Sequence, residues 1–113
     1  DIVSDLCAGL IGGLGVAPGA NIGDHDAVFE AVHGSAPDIA GKDLANPMSL
    51  LMSAKMMLEY IADQRSDPRC EKAAERILFA YESALGEGQK TRDLGGDLGT
   101  KAFTQAVIDR LKG

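Results

Sequence analysis

Tryptophan is absent from this 113-residue chain, and three phenylalanines and two tyrosines are its whole aromatic content. A core must therefore be built from Leu, Ile, Val, Ala and Met. Cysteine is equally sparse. Cys7 and Cys70 lie far apart and belong to no CxxC pair, so they read as reduced, partly buried thiols. Neither has metal-ligand spacing to His25 or His33, which argues against a zinc site. Basic residues are too few for nucleic acid to be a main partner: 11 Lys and Arg face 17 Asp and Glu, a net charge of −6. No uninterrupted apolar run is long enough to span a bilayer, so no membrane partner is expected. No signal-peptide pattern is visible, and the expected compartment is the cytoplasm, or the mitochondrial matrix in a eukaryote. What remains is an ordinary globular composition, 45% hydrophobic and 25% charged, with length for one domain or part of one.

The pattern along the chain is one helix, two short strands, then three helices. Over residues 1–11, Ile2, Val3, Leu6 and Leu10 share an apolar face and Asp1, Ser4 and Asp5 fall on another. Gly12, Gly13, Gly15, Pro18 and Gly19 break that helix. Residues 20–23 and 28–33 read as strands around the polar turn Asp24-His25-Asp26. Asn46-Pro47 is a helix start, with Leu50, Leu51, Ala54, Met57, Leu58 and Ile61 as its apolar stripe. Asp67-Pro68 repeats the signal, with Ala73, Ala74, Ile77, Leu78, Tyr81 and Leu85 following and Gly86 and Gly88 ending the helix. Thr100 is placed to cap a last helix carrying Phe103, Val107 and Leu111. Two strands cannot bury a sheet alone, so they are expected to join a larger one. The chain opens on Asp1, inside a helix without a cap, and reads as the C-terminal piece of a longer protein.

The chemistry concentrates between His33 and Asn46. Gly34, Ser35 and Ala36 are small enough to let phosphates approach backbone N–H groups, and His33 beside them is a candidate wall for an adenine and its phosphates. Alone, His33 would read as a core histidine. Pro37 leads into Asp38, whose carboxylate suits the paired hydroxyls of a ribose. An anion accepts two hydrogen bonds from a free 2′,3′-diol and repels a 2′-phosphate, which favours NAD over NADP. The bland alternative for Asp38 is a turn residue after Pro37. Ile39 offers an apolar contact to a base. Asn46 can read an adenine edge or cap the helix, the latter with its side chain only if the base does not take the amide. Gly13-Leu14-Gly15-Val16-Ala17-Pro18-Gly19 follows a helix and precedes a strand, the reverse of a Rossmann fingerprint, so it reads as a structural turn. Asp1 and Asp5 share a helical face, where like charges cost about 0.2–0.5 kcal/mol. A bound Mg²⁺ or Mn²⁺ would reverse that sign. Taken alone, the pair is more often a solvated face.

The string His33 to Gly41 closed by Asn46-Pro47 resembles the nucleotide loop of the β-decarboxylating dehydrogenases of 2-hydroxy acids. Asp1-Ile2-Val3-Ser4-Asp5 resembles that family's metal-binding helix, Gly12 to Gly23 its next turn and strand, and Thr91-Arg92-Asp93-Leu94-Gly95-Gly96 its C-terminal signature. The resemblance runs through essentially the whole chain. It implies an α/β fold, the C-terminal portion of the isocitrate/isopropylmalate dehydrogenase-like fold rather than a Rossmann fold, with mostly helices and two short antiparallel strands. Residues 1–113 would be the C-terminal part of the nucleotide-binding large domain.

The implied reaction passes a hydride from the carbinol carbon of a 2-hydroxy acid to NAD, and the resulting β-keto acid loses CO₂. Mg²⁺ or Mn²⁺ held by Asp1 and Asp5 would chelate the substrate, a 2-hydroxy tricarboxylic or related acid, and stabilise the developing enolate. NADP-using members carry Lys-Tyr where this chain has Asp38-Ile39, and an arginine near Gly96; both are absent here. Arg92 is the one nearby residue that complicates the NAD reading. The resemblance also places Asp93 toward the adenine edge and Glu30 toward the nicotinamide, although a plain solvated Glu30 is almost as good a reading.

Within the family the segments look most like the NAD-dependent isocitrate branch, with isopropylmalate and homoisocitrate branches as alternatives. The family's substrate-clamping arginines and its proton-transfer tyrosine and lysine are not in this chain. The lysine and a further metal aspartate come from a neighbouring subunit in family members, so a homo-oligomer, in the simplest form a homodimer, is implied. A non-catalytic regulatory subunit is the other-class reading, and a purely structural module a third.

Overall fold

In the computed structural model, residues 18–32 and 36–111 are described. The expected helix over 1–11, the glycine turn through residue 17, Asp1, Asp5, Cys7, His33, Gly34 and Ser35 therefore lie outside the described residues.

Strand β1 (Pro18–Ile22) pairs antiparallel with β2 (Ala27–Ala31), Ala20 opposite Phe29 and Ile22 opposite Ala27. Both strands begin and end earlier than expected, because the turn closes tightly: Gly23 N–H donates to the Asp26 carbonyl at 2.7 Å, leaving Asp24-His25-Asp26 as the polar tip. Three helices follow, α1 (Met48–Arg65), α2 (Pro68–Gly86) and α3 (Thr100–Arg110). The link between α1 and α2 is two residues long, left-handed Ser66 (φ 50°) and Asp67, so the helices fold back on one another. Asp67 caps α2 as its sequence position suggests, accepting from Arg69 N–H at 2.9 Å. Arg69 returns a guanidinium contact to the same carboxylate, and these hydrogen bonds hold the Asp67 carboxyl below the usual range.

The far end of α2 closes as a Schellman turn. Gln89 N–H reaches the Ala84 carbonyl at 2.9 Å and Gly88 N–H the Leu85 carbonyl at 3.1 Å. Gly88, at φ 80°, supplies the left-handed residue this turn requires, while Gly86 is still helical.

The core follows from the shortage of aromatics. Fully buried Phe103 is surrounded by Met48, Ala80, Tyr81, Ala84, Ala106 and Val107, with Leu51, Met52, Ile77, Leu78, Leu85 and Leu111 packed around them. Alanines at 80 and 84 let the helices approach closely around one large ring. Burial pushes the Tyr81 hydroxyl pKa up, with Glu82 and Glu59 adding to the effect.

The expected stripe of α1 is only partly the buried face. Leu50 is 60% exposed, whereas Met48, Ser49 and Ser53 are buried. The reason is the hairpin. Ser53 Oγ accepts from Gly19 N–H at 3.2 Å and lies 2.7 Å from the Glu30 carbonyl, and Ser49 Oγ accepts from Val32 N–H at 2.9 Å. Small hydroxyls let the strands approach the helix and satisfy backbone groups that a leucine would strand. Phe29 then packs on Tyr60, ring centroids 5.6 Å apart.

Candidate functional site

The candidate loop begins with a 3-10 turn, Pro37–Ile39, in which Ala40 N–H donates to the Pro37 carbonyl at 3.3 Å. Asp38 and Pro37 are exposed and Ile39 is half-buried. Two non-glycine residues in left-handed conformation bracket the loop, Ala36 at φ 42° and Asp43 at φ 57°. Alanine visits that region at a cost of about 1–2 kcal/mol, so the surrounding contacts must hold the shape.

At the Asp43 end of the loop those contacts come from the start of α3. Asp43 Oδ1 accepts from Lys101 N–H at 2.9 Å, and the Asp43 carbonyl accepts from Thr100 N–H at 3.1 Å. The Thr100 hydroxyl donates to the Ala45 carbonyl. Thr100 therefore does not cap its helix, contrary to the expectation. It is the first helical residue, Gly99 occupies the cap position, and Asp43 supplies the capping oxygen from 58 residues away. Gly99 is needed because a side chain there would overlap Asp43.

At the end of the loop Asn46 meets Asp93. Asn46 Oδ1 accepts from Met48 N–H at 3.0 Å, and Asn46 Nδ2 donates to Asp93 Oδ2 at 3.0 Å. Pro47, expected as the first helical residue, instead occupies the cap position of α1 and Asn46 stands one residue before it; Asn46 still satisfies the first helical N–H, and it keeps one amide hydrogen for another partner. Thr91, fully buried, donates to Asp93 Oδ1 at 2.5 Å. Asp93 sits in a second 3-10 turn, Arg92–Leu94, ended by Gly95 at φ 87°. A side chain at Gly96 would overlap the Lys90 carbonyl, so this backbone leaves no room for an arginine at 96. Arg92 is exposed, and among the described residues no cation forms an ion pair with Asp38.

Of the expected site residues, Asn46 and Asp93 are brought into direct contact, and Ala36, Pro37, Asp38 and Ile39 lie on the loop that leads to them. Glu30 is not joined to them. It is exposed on the hairpin, its side chain 3.5 Å from Asn21 Nδ2 and its carbonyl held by Ser53. Sequence reasoning missed Asp43 and the Thr91 hydroxyl as braces. The signal for Thr91 was its place two residues before Asp93; Asp43 gave none, because its partner is a helix end that only the fold brings near.

The chain belongs to the isocitrate/isopropylmalate dehydrogenase family, whose model matches residues 1–111. It is 55% identical over 112 residues to the isocitrate/homoisocitrate dehydrogenase of Thermus thermophilus, covering 99% of this chain and 31% of that protein. It is 52% identical over 113 residues to the mitochondrial isocitrate dehydrogenase [NAD] catalytic subunit 5 of Arabidopsis thaliana, over 98% of this chain and 28% of the relative. The crystal structure of isocitrate dehydrogenase from Methylococcus capsulatus superposes with a TM-score of 0.84 at 47% identity, over 99% of this chain and 32% of that one. The mixed α/β fold of this family was the expected one. The chain spans about a third of the length of these relatives. No described helix is long and apolar enough to cross a membrane.

Proposed function

We propose that this chain is the nucleotide- and metal-binding C-terminal portion of the large domain of an NAD-dependent isocitrate dehydrogenase, which acts as a homo-oligomer and oxidatively decarboxylates isocitrate to 2-oxoglutarate. The observation that carries the nucleotide part is the joining of Asn46 and Asp93 at the end of a braced loop that presents Asp38 without a cationic partner among the described residues. An acceptor beside a donor suits a base edge, and an uncompensated carboxylate suits a ribose diol and opposes a 2′-phosphate. The closed position at Gly96 points the same way. Ile39 would lie against the base, and His33, Gly34, Ser35 and Ala36 would border the phosphates. Asp1 and Asp5 would hold Mg²⁺ or Mn²⁺, which supplies Lewis-acid stabilisation of developing negative charge when bound. NAD, when bound, supplies the hydride acceptor. The names of the relatives support isocitrate as the substrate, with homoisocitrate and isopropylmalate as neighbours in the same family.

Steady-state kinetics of the full-length protein test this reading. With isocitrate, homoisocitrate and isopropylmalate each paired with NAD and NADP, isocitrate with NAD should give the highest kcat/KM. Asp38→Lys combined with Ile39→Tyr should shift the preference toward NADP by pairing the phosphate that Asp38 repels. An unchanged cofactor ratio would remove Asp38 from the ribose site, and no NAD-linked oxidation of any of the three acids would overturn the proposal.

A further inference from the structure

The Asp93 carboxylate is held at both oxygens, by the Thr91 hydroxyl at 2.5 Å and by Asn46 Nδ2 at 3.0 Å. The Asn46 amide is likewise held at both ends, because Oδ1 faces the Met48 N–H. Exchanging the amide oxygen and nitrogen would set oxygen against carboxylate and NH₂ against N–H, so only one orientation satisfies both partners. Thr91 is 0% exposed and cannot itself reach a ligand at the surface. Asp93 is exposed and Asn46 half-buried, so they can.

The geometry points to Thr91 as a positioning residue that fixes the Asp93–Asn46 pair as a reader of the adenine amino edge, and so as a determinant of base specificity. This rests on the reading of the loop as a nucleotide site. An ionised Asp93 only accepts, and each of its oxygens has lone-pair capacity beyond the bond it already makes. Asn46 retains one N–H. An acceptor beside a donor complements adenine, which offers an exocyclic amino donor next to a ring-nitrogen acceptor. On the edge formed by the exocyclic group and N1, hypoxanthine reverses both, presenting a carbonyl oxygen and a ring N–H, so that oxygen would face carboxylate. Without the Thr91 hydroxyl, Asp93 Oδ1 loses its buried anchor, the carboxylate is free to rotate, and Asn46 loses a fixed partner. The backbone duties of Thr91 are separate: its carbonyl accepts from Leu94 and Gly96 N–H at 3.1 and 2.9 Å, which a side-chain substitution leaves in place.

The test uses the full-length protein with NAD and with nicotinamide hypoxanthine dinucleotide, measuring Kd, KM and kcat for each. The parent should prefer NAD by about tenfold or more, the ratio expected of a paired base contact. Thr91→Val, close in size but without the hydroxyl, should bring that ratio toward one by raising KM for NAD, with kcat at saturation changed by less than about twofold. Thr91→Ser should restore the preference. Melting temperatures report any loss of fold separately, and Asp93→Asn gives the same readout should Thr91→Val fail to fold. A parent ratio retained in Thr91→Val, or in Asp93→Asn where that variant stands in, overturns the inference. So does a Thr91→Ser variant as impaired as the valine. A parent that binds both dinucleotides equally overturns the inference and leaves the nucleotide site standing; a parent that binds neither overturns both.

Discussion

The three helices and the hairpin-and-loop region are held together by different physics. Among the helices the ties are apolar: Phe103, Ala80 and Ala84 are completely buried, and Tyr81, Val107 and Met48 nearly so. Between residues 18 and 46, no described residue is fully buried. There the chain is fastened by directional bonds to polar side chains of the helical layer or of the loop itself, among them Ser49, Ser53, Asp43, Asn46 and Thr100. Apolar burial is large and non-directional, whereas a hydrogen bond contributes only about 0.5–1.5 kcal/mol net but fixes distance and angle. The candidate site therefore sits where shape is well specified and stability is locally low, which suits a loop that must present a few atoms at fixed positions.

The largest way to break this contrast is through the core. Phe103→Ala empties the centre of the helical layer and should cost about 3–5 kcal/mol, read from denaturant unfolding followed by helical circular dichroism. A loss below about 1 kcal/mol would mean that the helices are not organised around that ring. Ser53→Ala is a smaller cut aimed at the other region. It removes the acceptor for Gly19 N–H and should cost about 1–3 kcal/mol if that group stays dry. Its signature is local: amide exchange at Gly19 and along β2 should accelerate while amides in the middle of α2 keep the parent's rates. Equal acceleration in α2 would show that the hairpin and the helices open as one unit, and the contrast would fail.

The legible parts of the molecule were those with local causes. Asp67-Pro68 starts a helix because its cap, its proline and its first turn are adjacent in sequence, and the apolar period from Ala73 to Leu85 is set by one helix packing on its neighbours. The hairpin tip was visible in Asp24-His25-Asp26. The buried serines of α1 were not, because a serine at helical spacing looks like a solvated face until a strand is laid over it. Leu50 and Met57, at 60% and 38% exposed, misled for the complementary reason: an apolar period marks a face, not what covers it. Thr100 read as a cap by its type and place. The actual capping oxygen comes from Asp43, across 58 residues, and no sequence period encodes that encounter. In the candidate site, Asn46 was readable as part of a helix start, and it does accept from the first helical N–H; its contact with Asp93, 47 residues on, was not readable. For His33, Gly34, Ser35, Asp1 and Asp5 the sequence remains the whole basis.

The smallest expected effect sharpens the contrast from within the helical layer, at the charged cap of α2. The side-chain and backbone hydrogen bonds from Arg69 hold the Asp67 carboxyl below its usual pKa, and the guanidinium partner sits 3.0 Å away. A carboxyl whose folded pKa is depressed takes up its proton more readily in the unfolded chain. Its contribution to stability is therefore complete above the ordinary carboxylate pKa near 4, and is lost as pH falls through the lower, folded value. Asp67→Asn keeps an oxygen for the Arg69 N–H but removes the charge. The variant should be slightly less stable than the parent at neutral pH, and the difference should close below about pH 4. Added salt should shrink the neutral-pH difference, since the pair is at the surface. Denaturant midpoints of both proteins between about pH 2 and 7 would show this. No difference between the two proteins anywhere in that range would assign the whole effect of Asp67 to its capping oxygen, which the variant keeps, and leave the ion pair with Arg69 without a part in holding α2.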